Sequence, residues 1–313
     1  MVFGSIKQLA QEEEIEQRRL LGIWEVDDSK VSNVYSDYES HELKQGEDLR
    51  GFLLRTNRYN SFLSGLEEGQ NAELQCVKIN QQRGIYFPRI YRPVYGNFGA
   101  STAFYIGEER PAPVDTELLR NTLMQITSYV ELLNTIFQSV FPTEENFEVY
   151  GFNIRNLILL ACTEFESQAR GILIANNLKH RGNFYTTKDY VKLKSVLKLE
   201  DYAVRFTHFP NIPVLEPFRK WDENDPTVSL KWYDNYNSTK HNREVNFSKG
   251  RLIDLLNALS ANYIMLIAQF GELEIINDML RKYWTIEKKP QWSIDEMLYR
   301  PVRDEAWKMK WFF

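Results

Sequence analysis

The spacing of apolar positions changes along this chain, and helical spacing occupies its start. Over residues 5–20, apolar side chains recur every three to five positions between charged and amide residues, and Ser5 stands where a helix N-cap would. The apolar positions are Ile6, Leu9, Ile15 and Leu20. The pattern therefore predicts an amphipathic helix within residues 1–20.

A different texture begins at about residue 21, where short aromatic and β-branched runs alternate with Gly, Asn and Pro. Such runs cover residues 73–79, 84–94 and 100–106. Prolines inside the second run favour an edge strand or a bulge there, because proline has no N–H to donate to a neighbouring strand. Residues 21–112 are therefore predicted to form a β-rich domain.

Helical periodicity returns after Pro111 and Pro113, which together mark a domain boundary. Asp115 can cap the first helix of this part, and Ser229 can cap a later one. The periodic segments cover residues 115–140, 144–176, 187–197 and 247–270. We expect residues 113–275 to form an all-α bundle of four or five helices.

The last segment, residues 276–313, contains Trp284, Trp292, Trp307 and Trp311. It is predicted to be a tail that packs across another surface. The fold class expected for the whole chain is thus α+β, with a β-rich N-terminal unit followed by an all-α bundle.

Composition narrows the function classes without selecting one. The 313 residues suit two structural units, and a net charge of −5 gives no overall basic signature of nucleic-acid binding. The two cysteines, Cys76 and Cys162, suggest neither a disulfide framework nor a zinc site, and no metal or cofactor is expected. We find no signal-peptide pattern and no uninterrupted apolar run of 18 residues, so we expect a cytoplasmic protein that is not membrane-bound.

Ionisable residues interrupt one otherwise apolar helical segment, residues 152–176. At about 100° per residue, Arg155, Cys162, Glu166 and Arg170 lie within roughly 60° of one another. Charges on the inner side of a bundle are costly unless they are paired. We expect them to form an internal ion network or to line a cleft, with an ordinary Arg–Glu pair at the edge of the bundle as the alternative.

The segment YNSTKHNR, residues 236–243, places a histidine among cations. In a helix, Asn237 and His241 face the same way, so the amide can orient the imidazole, or both can contact one ligand. The alternative is that His241 ends a helix, where its positive form suits the negative end of the helix dipole, together with Lys240 and Arg243.

The helical half resembles HEPN domains, α-helical bundles whose nuclease members carry an Arg-Asn-x-x-x-His motif. Asn237 and His241 match the asparagine and the histidine, whereas Tyr236 stands at the position of the arginine. The resemblance covers about residues 115–272 and extends, more specifically, to a group of uncharacterised bacterial HEPN-like proteins. The features that carry it are Arg155, the run LACTEFE at 160–166, Pro217, Phe218, Trp232, residues 236–243 and the apolar segment after Phe247.

The resemblance implies metal-independent RNA cleavage, in which the histidine assists attack by the 2′-hydroxyl on the adjacent phosphate. Because tyrosine carries no permanent positive charge, Lys240, Arg243 or Arg155 would have to contact the phosphate. Glu166 and Arg170 would support this network. HEPN nucleases usually pair two motifs across a dimer, so the single copy here implies a homodimer formed through the helical bundle, or a partner that supplies the second motif.

Three functions therefore stay open. The first is a HEPN-like endoribonuclease of a bacterial defence or toxin system. The second is a non-catalytic HEPN-like module that binds a nucleotide, a nucleic acid or a protein partner through the same cations. The third is an interaction protein in which residues 236–243 are only a helix end and the aromatic N-terminal unit makes the recognition.

Overall fold

A computed structural model of the chain describes residues 2–9, 19–27, 29–33, 40–56, 72–78, 80, 82–95, 112–179, 184–272, 278–301 and 305–313. The strands are β1 Val2–Leu9, β2 Arg19–Asp27, β3 Lys30–Asn33, β4 Ser40–Glu42, β5 Ala72–Lys78, β6 Ile85–Tyr86, β7 Val94–Tyr95, β8 Ala203–Phe206, β9 Trp284–Lys288, β10 Leu298–Tyr299 and β11 Lys308–Met309. The helices are α1 Leu49–Thr56, α2 Thr116–Phe137, α3 Phe152–Ala175, α4 Thr187–Tyr190, α5 Leu193–Val196, α6 Lys231–His241, α7 Arg243–Asn246, α8 Leu252–Phe270 and α9 Asp278–Tyr283.

The chain divides into two compact units. One contains residues 1–86, 92–113 and 292–308, and the other contains residues 87–91, 114–291 and 309–313. The fold is therefore mixed, with strands in the N-terminal part and mainly helices afterwards, in agreement with the expected order. The expected tail at 276–313 is not one piece, because its residues are shared between the two units.

The β-rich unit is built on a five-stranded antiparallel sheet in the order β4-β3-β2-β1-β5. Trp24 of β2 and Val31 of β3 are buried in the small core of this unit, against Phe52 and Leu53 of α1. The prediction of a helix within residues 1–20 is wrong for the described part of that segment, because β1 and the start of β2 are strands. β1 pairs with β2 on one side and with β5 on the other, and this pairing overrides the helical spacing of its apolar residues. A local sequence window cannot detect such pairing.

Elsewhere in this unit the strand predictions have mixed outcomes. The run at 73–79 is confirmed as β5. The run at 84–94 is not the expected edge strand or bulged strand, because it holds only the two-residue strand β6 and the start of β7, with a turn at Pro88 and Arg89 between them. The run at 100–106 lies outside the described residues.

The helical unit is organised around α8, which is buried along nearly its whole length. By length and composition alone α8 could cross a membrane, but most of it lies inside the protein, as in a core helix. The predicted helix after Asp115 is confirmed as α2, and the Asp115 carboxylate accepts a hydrogen bond from the Leu118 N–H at 2.9 Å. The predicted segment at 187–197 forms two short helices, α4 and α5.

Aromatic side chains fill the centre of the helical unit. Phe165 of α3 is completely buried and lies 5.3 Å, between ring centroids, from Trp232 of α6. It also contacts the rings of Tyr190, Phe218, Trp221 and Tyr233. These contacts fix α6 against α3, which sets the position of residues 236–241.

Candidate functional site

Helix α6 contains residues 236–241 of the YNSTKHNR segment. The buried face of α6 explains why this helix forms. Trp232, Tyr236 and Thr239 recur at helical spacing and are buried against α3 and α8. Ser229 does not cap this helix as predicted, because Leu230 holds the N-cap position and makes no capping side-chain bond. The Ser229 hydroxyl instead accepts from the Asp222 N–H at 2.9 Å and donates to the Asp225 carbonyl at 2.6 Å.

The helix ends at His241, one residue before a break in the backbone. Asn242 leaves the helical conformation, and its side-chain oxygen accepts from the Val245 N–H at 3.4 Å, which starts α7. The motif histidine is therefore the last residue of α6. This position agrees with the simpler interpretation of His241 as a helix-terminal residue, next to the negative end of the dipole.

Asn237 and His241 lie one turn apart on the side of α6 that faces away from the core. The Asn237 side chain is half-buried and the His241 side chain is exposed. Within the described parts of the chain, neither side chain has a hydrogen-bond or ion-pair partner. The expected orienting bond from the amide to the imidazole is thus not formed, and the imidazole is open to a ligand.

Tyr236 and Lys240 form the most informative contact at this end of α6. The Lys240 ammonium donates to the Tyr236 hydroxyl at 3.0 Å and lies 5.1 Å from the centre of its ring. The tyrosine is only 1% exposed, and this hydrogen bond raises the pKa of the lysine. A cation is therefore held at the hydroxyl end of the buried Tyr236.

Arg155 of α3 also reaches α6, but its contact is with the backbone. One terminal nitrogen, Nη2, donates to the Thr239 carbonyl at 3.3 Å, and this carbonyl belongs to the last turn of the helix. The Arg155 Nε is buried and has no hydrogen-bond partner among the described residues. Arg155 thus caps the end of α6 and places positive charge beside its unsatisfied carbonyl groups.

The ion network expected among Arg155, Glu166 and Arg170 is not present. Glu166 accepts a hydrogen bond from the Tyr233 hydroxyl at 2.7 Å, whereas Arg170 is exposed, and in the described ranges no salt bridge joins these three side chains. Glu166 and Arg155 do not pair with each other because each binds a group of α6: Glu166 binds the Tyr233 hydroxyl, and Arg155 binds the Thr239 carbonyl. Burial and the bond to Glu166 together raise the pKa of Tyr233 well above its ordinary value.

The remaining predicted residues have smaller roles. Cys162 is completely buried, and burial raises the pKa of its thiol well above the ordinary value. Arg243 is the first residue of α7, and its side chain lies outside what the structure describes.

Lys249 is a cation of this region that the sequence did not single out. Its Nζ lies 3.5 Å from the Ser238 hydroxyl, and the side chain is exposed. At about 100° per residue, His241 lies on α6 between Lys240 on one side and Ser238 on the other. His241 thus lies on the helix surface between the residue that bears one lysine and the serine that another lysine approaches, and we call Lys240, His241 and Lys249 the cationic end of α6.

The described residues contain no group of three or more His, Cys, Asp or Glu that could hold a metal ion. Comparison of the chain with protein-family models, with curated proteins and with solved structures gives no match. The chemistry of the α6 residues is therefore the basis on which a function can be proposed.

Proposed function

We propose that the helical unit is a HEPN-like module that binds RNA through the cationic end of α6. The observation that carries this proposal is the position of the Lys240 ammonium, 3.0 Å from the Tyr236 hydroxyl, on the residue that precedes the exposed His241. The HEPN motif has its arginine at position 236, so Lys240 brings a positive charge back to that point from the next helical turn. An ammonium group contacts phosphate as a point charge, without the paired hydrogen bonds of a guanidinium.

Arg155 supports an anion at this location indirectly. The carbonyl end of a helix carries partial negative charge, which would repel a phosphate. The Arg155 guanidinium covers the Thr239 carbonyl, and the Asn246 side-chain amide donates to the Ser238 carbonyl at 3.2 Å. These two donors reduce the negative potential of the α6 end, so the exposed cations beside it can attract phosphate.

The binding experiment compares two lysines of the same helix. Lys240→Gln should weaken binding of a fluorescein-labelled oligoribonucleotide, measured by fluorescence anisotropy in the presence of a chelator. It should also reduce the slope of log K against log salt by about 0.7, the value for one phosphate contact on a single strand. The control is Lys231→Gln, because Lys231 is exposed at the opposite end of α6 and lies 3.4 Å from Asp234. Equal affinities and slopes for the two variants would contradict the proposal.

RNA cleavage is a second candidate function, and the exposure of the His241 imidazole favours it. A general base must reach a 2′-hydroxyl, and the exposed His241 is open to a ligand, with Asn237 one turn away on the same face. The test is cleavage of RNA by the purified protein in chelator, comparing the unmodified protein with His241→Ala. Loss of cleavage in His241→Ala alone supports an endoribonuclease, whereas binding without cleavage in both proteins supports the non-catalytic module.

We further propose that the protein is a homodimer, because a HEPN-like nuclease needs two motif copies. Exposed apolar side chains on the helical unit offer a surface for such contact, including Met124 and Leu132 of α2 and Leu160 of α3. Light scattering after size-exclusion chromatography should give twice the chain mass. A monomer at all concentrations tested would leave the binding module and exclude a nuclease that acts as a homodimer.

A further inference from the structure

Three aromatic rings, two of them exposed and one half-buried, form a cluster beside the cationic end of α6. Phe247 lies 4.9 Å from Phe152 and 5.7 Å from Tyr150, between ring centroids. Phe152 is 67% exposed and Tyr150 is 50% exposed, so both rings present faces or edges to the surroundings. We call Tyr150, Phe152 and Phe247 the aromatic platform.

The backbone fixes the aromatic platform next to α6. Tyr150 pairs with Arg251 in an isolated antiparallel bridge, and the Leu252 N–H donates to the Val149 carbonyl at 2.9 Å. This pairing joins the chain before α3 to the chain before α8. Phe247 lies two residues before Lys249, whose Nζ is close to Ser238 of α6. The platform and the cationic end of α6 are therefore parts of one surface of the helical unit.

Cations lie near the platform, together with Glu244, which is exposed three residues before Phe247. Lys249 and Lys240 are exposed, and Arg155 lies one turn after Phe152 on α3. Glu148 lies 2.8 Å from Arg251, so its charge is compensated. Phe152 also opens α3, a helix with no acidic residue in its first turn. Isolated exposed aromatics are common on protein surfaces, but clustered rings with cations at their edge are the combination with which proteins bind single strands.

We propose that the aromatic platform stacks unpaired bases, so that the RNA bound at the cationic end of α6 is single-stranded. This inference rests on the proposed function and specifies its substrate class. Bases in a duplex are stacked on one another and cannot cover these rings, whereas bases of a single strand can. Phosphates of the same strand then reach Lys249, two residues after Phe247, and the strand continues towards Lys240 at the end of α6.

The experiment measures affinity for single-stranded RNA and for a duplex of the same length, using full-length variants. Phe152→Leu keeps an apolar side chain but removes the aromatic face, and it should weaken single-strand binding about 5- to 150-fold, the range for loss of one stacked base. Phe152→Tyr keeps the face and should bind like the unmodified protein. Phe184→Leu is the control, because Phe184 is 80% exposed and follows the opposite end of α3. Because Phe152 is exposed, none of these changes should alter the circular dichroism spectrum.

The outcomes separate this inference from the proposed function. A preference for the single strand that Phe152→Leu abolishes supports the platform. Binding that depends on Lys240 but is equal for both RNAs and unaffected by Phe152→Leu overturns the platform and leaves the proposed function standing. Absence of RNA binding overturns both. If Phe152→Leu instead changes the sedimentation coefficient without changing RNA affinity, the platform contacts a second copy of the chain, and the inference is wrong.

Discussion

Replacing Gly171 with alanine tests how residues 87–91 are held in the helical unit. Alanine in a helix interior normally stabilises a protein by about 0.5–1 kcal/mol relative to glycine. At Gly171 of α3, however, a Cβ would lie 2.0 Å from Nη1 of Arg89 and 2.9 Å from its Cζ. The guanidinium would have to move, and the usual gain should become a loss.

The size of that loss follows from the bonds of the guanidinium. Arg89 donates from Nε and Nη2 to the Gln269 side-chain oxygen at 2.9 and 2.7 Å. Burial lowers the pKa of Arg89 to about 10, although Glu164 and Asp115 oppose this. Hydrogen bonds to charged groups contribute roughly 1.5–3 kcal/mol each, and displacement would leave a buried acceptor unsatisfied. Loss of both bonds would cost about 3–6 kcal/mol, so after subtracting the helix gain we expect Gly171→Ala to lower the free energy of unfolding by about 2–5.5 kcal/mol.

Urea unfolding followed by circular dichroism at helical wavelengths measures this change as a shift of the midpoint. The control is the same substitution in an Arg89→Asn background, because asparagine tolerates the positive φ of 57° at position 89 and does not reach Gly171. There the alanine should be neutral or stabilising. If Gly171→Ala is neutral or stabilising in the unmodified protein, the contact between Arg89 and α3 is not as described.

Three further outcomes test the core and the buried ionisable groups. Phe165→Ala should lower the free energy of unfolding by about 3–5 kcal/mol in urea melts, because this buried ring contacts five others; a loss below about 1 kcal/mol would contradict the packing. Burial, followed by Glu164, raises the pKa of Tyr129 to about 12. The protein should therefore lose stability as the pH rises from about 10, where an unfolded tyrosine ionises, towards 12, and Tyr129→Phe should flatten the decline. Finally, in a Cys76→Ala variant the remaining thiol of Cys162 should react with a disulfide reagent only after unfolding; rapid reaction of the folded protein would show that α3 is not packed as described.

Local signals in the sequence were sufficient to predict several helices of the helical unit. Asp115 is followed by a clear apolar stripe, so both the cap and the body of α2 were predictable. The apolar period of α8 is equally clear, although the helix starts at Leu252 and the preceding residues from Phe247 form a short 3-10 helix. In both helices the residues that decide the structure are neighbours along the chain.

The predictions are wrong where contacts with other parts of the chain determine the local structure. Val2–Leu9 forms a strand because β2 and β5 pair with it, and β5 begins more than sixty residues later. Ser229 can form local hydrogen bonds in more than one way, and its bonds to the loop at Asp222 and Asp225 prevail over a helix cap.

In the candidate site, too, some features follow from the local sequence and others depend on tertiary packing. The shared face of Asn237 and His241 follows from the helical period, as does the spacing of Tyr236 and Lys240. Lys240 folds back onto the Tyr236 hydroxyl because Tyr236 is buried. That burial could not be predicted from the sequence. Arg155 reaches the Thr239 carbonyl across 84 positions of the chain, and Phe152 meets Phe247 across a similar separation. Only the tertiary packing of α3, α6 and α8 brings these groups together.

Lysine labelling with and without RNA tests the central claim most directly, because it locates bound RNA on the protein. The full-length protein is treated with an amine-reactive reagent in chelator, alone and with excess single-stranded RNA, and the modification of each lysine is measured by mass spectrometry. We predict that RNA protects Lys240 and Lys249, and that the exposed Lys231 and Lys188 are modified equally in both samples. Unchanged modification of Lys240 and Lys249 under conditions in which RNA is bound, or protection confined to lysines elsewhere, would contradict RNA binding at the cationic end of α6.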